Sequence, residues 1–316
     1  MKNILITISF LLIAILANSQ TTYYISNSGD DANTGLSHAQ AWETINKLNS
    51  ETFVAGDSIL FERGGLWNTS FRIPSSGSSG NHITISNYGE GSLPRLYGSK
   101  IMDSYTSHSS LSNVYLCNDT IGNDPHIYIN PSRADPGSIW FNVNDTIEWG
   151  DGITSYKASL SLLAANYDWT WQNDTVYFYY SGSISDIDSV YATKFQDVVI
   201  LNKDYITIDG LDVGYFGFRG IGSTDYPEVY RTDIIIRNCH IAYSGAKSTY
   251  LVASPGYGIF LSASNTILEN NDIRGQGRRS ISYNIQNGTN FTIRNVIIQD
   301  NHLYDGYHTT GIDLAI

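Results

Sequence analysis

A repeat constrains this chain more than any other feature of it. Ile208-Asp209-Gly210-Leu211-Asp212-Val213 is matched by Ile236-Arg237-Asn238-Cys239-His240-Ile241, by Leu268-Glu269-Asn270-Asn271-Asp272-Ile273 and by Ile298-Gln299-Asp300-Asn301-His302-Leu303, with starting residues 28, 32 and 30 apart. A second column runs through Gly220-Ile221, Gly258-Ile259-Phe260-Leu261, Ser280-Ile281-Ser282-Tyr283 and Gly311-Ile312-Asp313-Leu314. Short β-type runs at that period describe a solenoid, in which each coil buries its apolar side only against the coils before and after it. Strand alternation then puts Ile259, Leu261, Ile281, Ile312 and Leu314 inside and turns Phe260, Ser282 and Asp313 outward. Asparagine suits the corners, since it tolerates left-handed backbone and its amide can bond to the next coil. Asn271 and Asn301 are read as one corner column, replaced by Cys239 and Leu211 in earlier coils. The expected class is all-β, a parallel β-helix.

The rest of the chain divides around this repeat. Met1-Lys2-Asn3 precedes an apolar run from Ile4 to Ala17, 14 residues long, with Ala17-Asn18-Ser19 behind it. That is the pattern of a signal peptide (1–19) cleaved before Gln20, too short to span a bilayer core of ~30 Å. No membrane span is expected, and the mature protein is expected to be secreted, periplasmic or extracellular. Residues 20–102 read as a cap and first coils: Tyr23-Tyr24-Ile25-Ser26, an amphipathic segment from Ala41 to Leu48 with Trp42, Ile45 and Leu48 on one face, then Gly56–Phe61 and His82–Ser86 as short strands. Residues 103–195 break the rhythm and form an irregular insertion rich in Trp140, Trp149, Trp169 and Trp171. Its rings are expected mainly to build a small core, the other use being a sugar-stacking platform. Residues 196–316 return to coils. The sequence stops at Ile316 in mid-strand without a cap, so further coils are expected beyond it in a longer gene product.

Charge restricts the partners. A formal charge of −12 with 15% charged residues disfavours nucleic acid and anionic membrane. The first 200 residues carry 19 acids and 9 bases, the remainder 11 and 9, so the coil region is the better place to meet an anionic ligand. Cys117 and Cys239 are the two cysteines; nothing in the sequence brings them together, and Cys239 falls in an interior column. A monomer is expected.

The opening Tyr23-Tyr24-Ile25-Ser26 through Gly29-Asp30-Asp31 to Gly35, the Gly56-Asp57-Ser58-Ile59 step, and the Gly-Ile and Asn-Asn columns together resemble the secreted, right-handed, single-stranded parallel β-helix proteins of the pectate-lyase-like superfamily, of the Bacteroidota-type bacterial kind. The resemblance covers most of the chain outside the insertion. It implies a carbohydrate-active protein with a polysaccharide across the outward face of one sheet, while the superfamily spans lyases, hydrolases, epimerases and non-enzymatic surface proteins.

The loops entering the Gly-Ile strands, 214–219, 242–257, 274–279 and 304–310, vary in length while the strands do not, which is where sites are built on a rigid scaffold. Elimination from a uronate polymer needs a cation or arginine for the carboxylate and a base for the C5 proton; hydrolysis needs two carboxylic acids. In the lyase assignment Arg278 and Arg279, with Arg274 near, bind carboxylate, and His308 or Tyr307 moves the proton. Asp305 and Asp313 orient or bind Ca²⁺, and Phe260 offers a ring to the sugar. The hydrolase alternative uses Asp305 and Asp313 as its pair, and the third alternative is a glycan-binding solenoid without catalysis. His240 and His302 share a column with Asp272 between them, a metal stripe by arrangement but one placed on an exposed turn.

Overall fold

The computed structural model describes residues 20–119, 138–150, 155–194, 197–223, 230–244, 256–277, 279–284, 290–299 and 310–315. The expected signal peptide lies outside them. Among the described residues no helix is long and apolar enough to cross a membrane.

Three parallel sheets wind around one core. The first stacks Thr22–Ile25, Ser58–Glu62, Ile83–Tyr88, Ile206–Asp209, Arg231–Arg237, the later half of Tyr257–Glu269, and Phe291–Arg294. The second stacks Leu66–Asn68, Arg95–Tyr97, Asp212–Phe216, His240–Ser244, Asp272–Arg274 and Ile297–Gln299. The third stacks Phe71–Arg72, Asp197–Ile200, Arg219–Gly222, the early half of Tyr257–Glu269, Arg279–Asn284 and Thr310–Ala315.

Each sheet stacks inward residues on their equivalents in the next coil, and one such position in each sheet runs on from coil to coil. The ladders are Ile59, Ile85, Ile208, Ile236, Leu268 and Ile293; Trp67, Leu96, Val213, Ile241, Ile273 and Ile298; and Phe71, Val199, Ile221, Ile259, Ile281 and Ile312. A fully buried rung contributes about 1.5–3 kcal/mol by leaving water. Ile259, Leu261 and Ile281 are buried as expected, but Ile312 and Leu314 are 42% and 47% exposed. Among the described residues their strand pairs on one side only, with Arg279–Asn284.

Two details of the repeat are corrected. Phe291–Arg294 continues the first sheet and Ile298 pairs with Ile273, so the last interval is the 25 residues from Leu268 to Ile293, not the 30 to Ile298. Asp300-Asn301 had imitated the corner that Arg294-Asn295 supplies; residues 300–309, including Asn301 and His302, lie outside the described set. The left-handed corner is also one residue earlier than expected: Gly210, Asn238, Asn270 and Asn295 hold φ values of 74°, 56°, 53° and 52°. Their amides form the ladder, Asn295 Nδ2 donating to Asn270 Oδ1 (3.1 Å) and Asn270 Nδ2 to Asn238 Oδ1 (3.2 Å). Asn271 is buried instead, accepting from the Cys239 N–H and donating to the Ile236 carbonyl. Asn271→Ala strands both backbone groups in the core and is expected to destabilise by about 1–3 kcal/mol, read from denaturant midpoints.

The amphipathic segment expected from Ala41 to Leu48 is helical only from Ile45, with Trp42 in a bridge to Ile25 before it. Helix Ile45–Ser50 begins at Thr44, whose hydroxyl accepts the Lys47 N–H, and buries Ile45 and Leu48 beside Trp42. The insertion leaves the solenoid after the second-sheet strand Arg95–Tyr97 and returns before Asp197–Ile200. It is regular: two four-stranded antiparallel sheets, one of Ser99–Met102, Ile139–Val143, Thr146–Gly150 and Ile187–Thr193, the other of Tyr105–Ser107, Val114–Cys117, Trp169–Gln172 and Thr175–Tyr179. Met102, Cys117, Phe141, Trp169, Phe178 and Val190 share their core. Trp140 turns to the solenoid, meeting Tyr97 and Tyr215, and Tyr215 stacks between Tyr191 and Tyr243 at 4.1 and 5.0 Å. Fully buried, Trp140 and Trp169 present no face to a sugar. Cys117 and Cys239 are free thiols in separate cores; burial pushes both up, Cys239 to about 12, which keeps it protonated.

Candidate functional site

The outer face of the third sheet gathers most of the chemistry. Register places Asp197, Arg219, Tyr257, Arg279 and Thr310 in one column, with Gly222, Phe260, Ser282 and Asp313 in another. These positions are fixed from inside: the Gly220-Ile221 and Gly258-Ile259 steps press their glycines against the core, where an added Cβ would lie 2.8 Å from the Phe216 ring or the Ile273 methyl. The residues on either side are thereby held outward.

Two arginines organise this face. Arg219 grips Asp197 with both prongs, Nε to Oδ1 at 2.6 Å and Nη2 to Oδ2 at 3.0 Å, and also donates to the Ser223 carbonyl. Both side chains are only 13% exposed. Burial raises the Asp197 carboxyl above its usual range, and the Arg219 charge opposes that rise without cancelling it. The Arg219 guanidinium lies 4.5 Å over the Phe218 ring and 5.6 Å from Phe260. Tyr257 bridges Phe218 and Phe260, with ring centroids at 5.6 and 5.0 Å. Two coils further on, Arg279 approaches Tyr257 at 5.9 Å and holds Asp313 at 2.7 Å, while Ser282 donates to Asp313 at 3.4 Å.

Of the expected site residues, Arg279, Asp313 and Phe260 therefore share a face. Arg274 does not join them. It lies on the second sheet and pairs with Asp272, because the buried Gly275-Gln276-Gly277 corner separates the two sheets. Arg278, Asp305, Tyr307 and His308 lie outside the described residues. Asp313, the described half of the expected calcium pair, is engaged by the Arg279 guanidinium. His240 is occupied on the second sheet by Asp212, Nδ1 to Oδ1 at 2.8 Å, and Asp212 also accepts from the Tyr97 hydroxyl at 3.1 Å. Among the described residues no three His, Cys, Asp or Glu side chains gather as a metal would require.

Asp197, Phe218, Arg219 and Tyr257 escaped the sequence reading. A signal existed: Arg219, Tyr257 and Arg279 each stand immediately before the small residue of the Gly-Ile column. Asp197, 22 residues before Arg219, has no such marker because the insertion interrupts its coil.

The winding itself is the one that residues 174–315 match in the family model described as a right handed beta helix region. The chain folds as a right-handed parallel β-helix. The complex of XylC with xylose superposes with a TM-score of 0.67 at 15% identity, covering 93% of this chain and 56% of that one. A glycoside hydrolase superposes with a TM-score of 0.59 at 9% identity, covering 89% of this chain and 74% of that one. The pectate lyase Pel9A follows at 0.43 and 10% identity, covering 94% and 57%. This β-helix thus spans little more than half the length of XylC. No curated protein matches it.

Proposed function

We propose that the protein is a secreted, carbohydrate-active β-helix of Bacteroidota-type bacteria that seats an acidic polysaccharide along the outer face of the third sheet and cleaves it by elimination. The supporting observation is the alternation on that face of arginine and aromatic ring: Arg219, then Tyr257 with Phe218 and Phe260, then Arg279. Stacked strands lie ~4.8 Å apart, so the backbones of Arg219 and Arg279 stand ~9.6 Å apart, with Arg219 held by Asp197 and Arg279 the guanidinium offered to a sugar carboxylate. Rings pack against the apolar faces of sugars, and a guanidinium binds a uronate carboxylate through two parallel bonds. In this reading the substrate carboxylate competes with Asp313 for Arg279, and the displaced Asp313 lies beside the bound sugar. Elimination also needs the base assigned to His308 or Tyr307.

Hydrolysis is the second reading. One of the superposed β-helices is a glycoside hydrolase, and the sequence offers Asp305 and Asp313 as its pair of carboxylic acids.

Incubation with uronate and neutral polysaccharides separates these chemistries. Elimination gives the ultraviolet absorbance of a new C4–C5 double bond together with new reducing ends; hydrolysis gives reducing ends alone; a binding protein gives neither. Arg279→Ala is expected to weaken uronate oligosaccharide binding about tenfold or more, and Phe260→Ala severalfold, with melting temperatures little changed. Unchanged affinity in both variants removes the face from the proposal.

A further inference from the structure

The outer face of the third sheet continues into the early coils beyond Asp197 and Arg219. Arg72 pairs in register with Ile200, and Ile200 with Gly222, so Arg72 heads the column that runs on through Phe260, Ser282 and Asp313. Its neighbour Phe71 is fully buried in the core, which turns Arg72 to the other side of the strand, and Arg72 is exposed. The backbone at this point is held on both sides. The Arg72 N–H donates to Asn49 Oδ1 (3.1 Å) from the helix Ile45–Ser50, and the Ile73 N–H donates to the Ile200 carbonyl (3.1 Å).

Arg72 differs from the other arginines of the face in that its charge is unspent. Arg219 grips Asp197 and Arg279 holds Asp313, whereas among the described residues no carboxylate lies within ion-pair distance of the Arg72 guanidinium. The acid that feels its charge, Asp197, already takes two hydrogen bonds from Arg219. The two residues between Arg72 and Phe260 in the column, Ile200 and Gly222, bring no charge to answer it. A guanidinium presented in this way offers a carboxylate two parallel bonds and has no internal acid to displace first.

We infer that Arg72 is a second carboxylate subsite at the early-coil end of this face, and that the substrate is a polyuronate, with acidic sugars recurring along the chain, rather than a neutral chain carrying a single acid. Arg72 and Arg279 stand on strands four steps apart, which separates their backbones by ~19 Å along the stack. Arg279 holds Asp313 of the following coil and so leans away from Arg72. A disaccharide held at Arg279 does not reach Arg72; a longer oligomer does. The inference rests on the third-sheet reading of the substrate, and its test is arranged to fail separately.

Calorimetric titration of the full chain with di- and hexasaccharides of galacturonate and of mannuronate, and with neutral xylohexaose, carries the test. Arg72→Gln is expected to weaken a hexauronate about tenfold, with the diuronate, xylohexaose and the melting temperature unchanged. Arg72→Lys keeps the charge without the fork and is expected to recover part of the loss. Arg279→Ala should weaken both lengths of uronate. Because Arg72 is exposed, the advantage of the parent protein over Arg72→Gln should shrink as salt is raised. Parent-like hexauronate affinity in Arg72→Gln overturns the inference; if Arg279→Ala and Phe260→Ala lose affinity in the same titrations, the face itself stands. Equal loss of the diuronate, or loss of xylohexaose, shows that no separate acid is read at Arg72 and overturns it as well. Loss with Arg72→Gln and none with Arg279→Ala or Phe260→Ala refutes the face and keeps acid recognition at Arg72. A parent protein that binds neither hexauronate removes both.

Discussion

Arg219→Ala is expected to destabilise the protein by about 3–5 kcal/mol at neutral pH, because it leaves the Asp197 carboxylate without its partner in a site only 13% exposed. The dependence on pH carries the diagnosis. Burial raises the folded Asp197 carboxyl above the ordinary 3.8, and the Arg219 charge restrains that rise. A carboxyl raised in the folded state binds its proton more tightly there than in the unfolded chain. Its contribution to stability is therefore fully present below the unfolded value and is lost as pH rises through the folded one. Removing Arg219 raises the folded value further and enlarges that loss, so the deficit against wild type should grow from acid toward neutral pH. Asp197→Asn in the same background should recover a large part of it. Urea unfolding of the three proteins across that range measures the effect; a deficit independent of pH would show that Arg219 acts through packing on Phe218 and Phe260 instead.

Trp169→Ala is expected to cost about 3–5 kcal/mol as well, but within the insertion only. Trp169 is fully buried among Met102, Cys117, Phe141 and Phe178, a core that shares no residue with the solenoid ladders. Hydrogen exchange should show protection lost across the two antiparallel sheets while amides of Ile206–Asp209, Arg231–Arg237 and the strands stacked on them keep theirs. Equal loss in both regions would mean that insertion and solenoid unfold as one unit.

The parts of this fold that were legible in the sequence are those built by one residue type recurring at one position. The ladder through Ile208, Ile236 and Leu268, and the one through Ile221, Ile259 and Ile281, are written as β-branched and aliphatic residues at near-constant spacing, and both are present. Corner chemistry was readable as a kind but not as a position, since the adjacent Asn270 and Asn271 look alike while one faces solvent at positive φ and the other satisfies buried backbone. The insertion's pairings are antiparallel and long-range, Thr193 against Ser99, and leave no period to read. On the outer face, Arg279, Phe260 and Asp313 could be found because the repeat fixes which side they occupy. Arg274 was misplaced because a buried corner of three residues turns it onto another sheet, and corner geometry is not a property of composition.

The pairing of Ser99 with Thr193, closed by the hydrogen bond from Lys194 to Gly98, means that the insertion departs and re-enters at a single point in one coil. An element attached in this way is modular. A short link from Gly98 to Lys194 would leave the stacked coils on either side paired as before, uncovering the Tyr97 and Tyr215 rings on which Trp140 and Tyr191 pack, and the excised piece would take Ser99 and Lys100 with it. The solenoid is then a chassis that keeps its own face of rings and arginines, while the insertion is an accessory that can be exchanged or lost without rebuilding the coils.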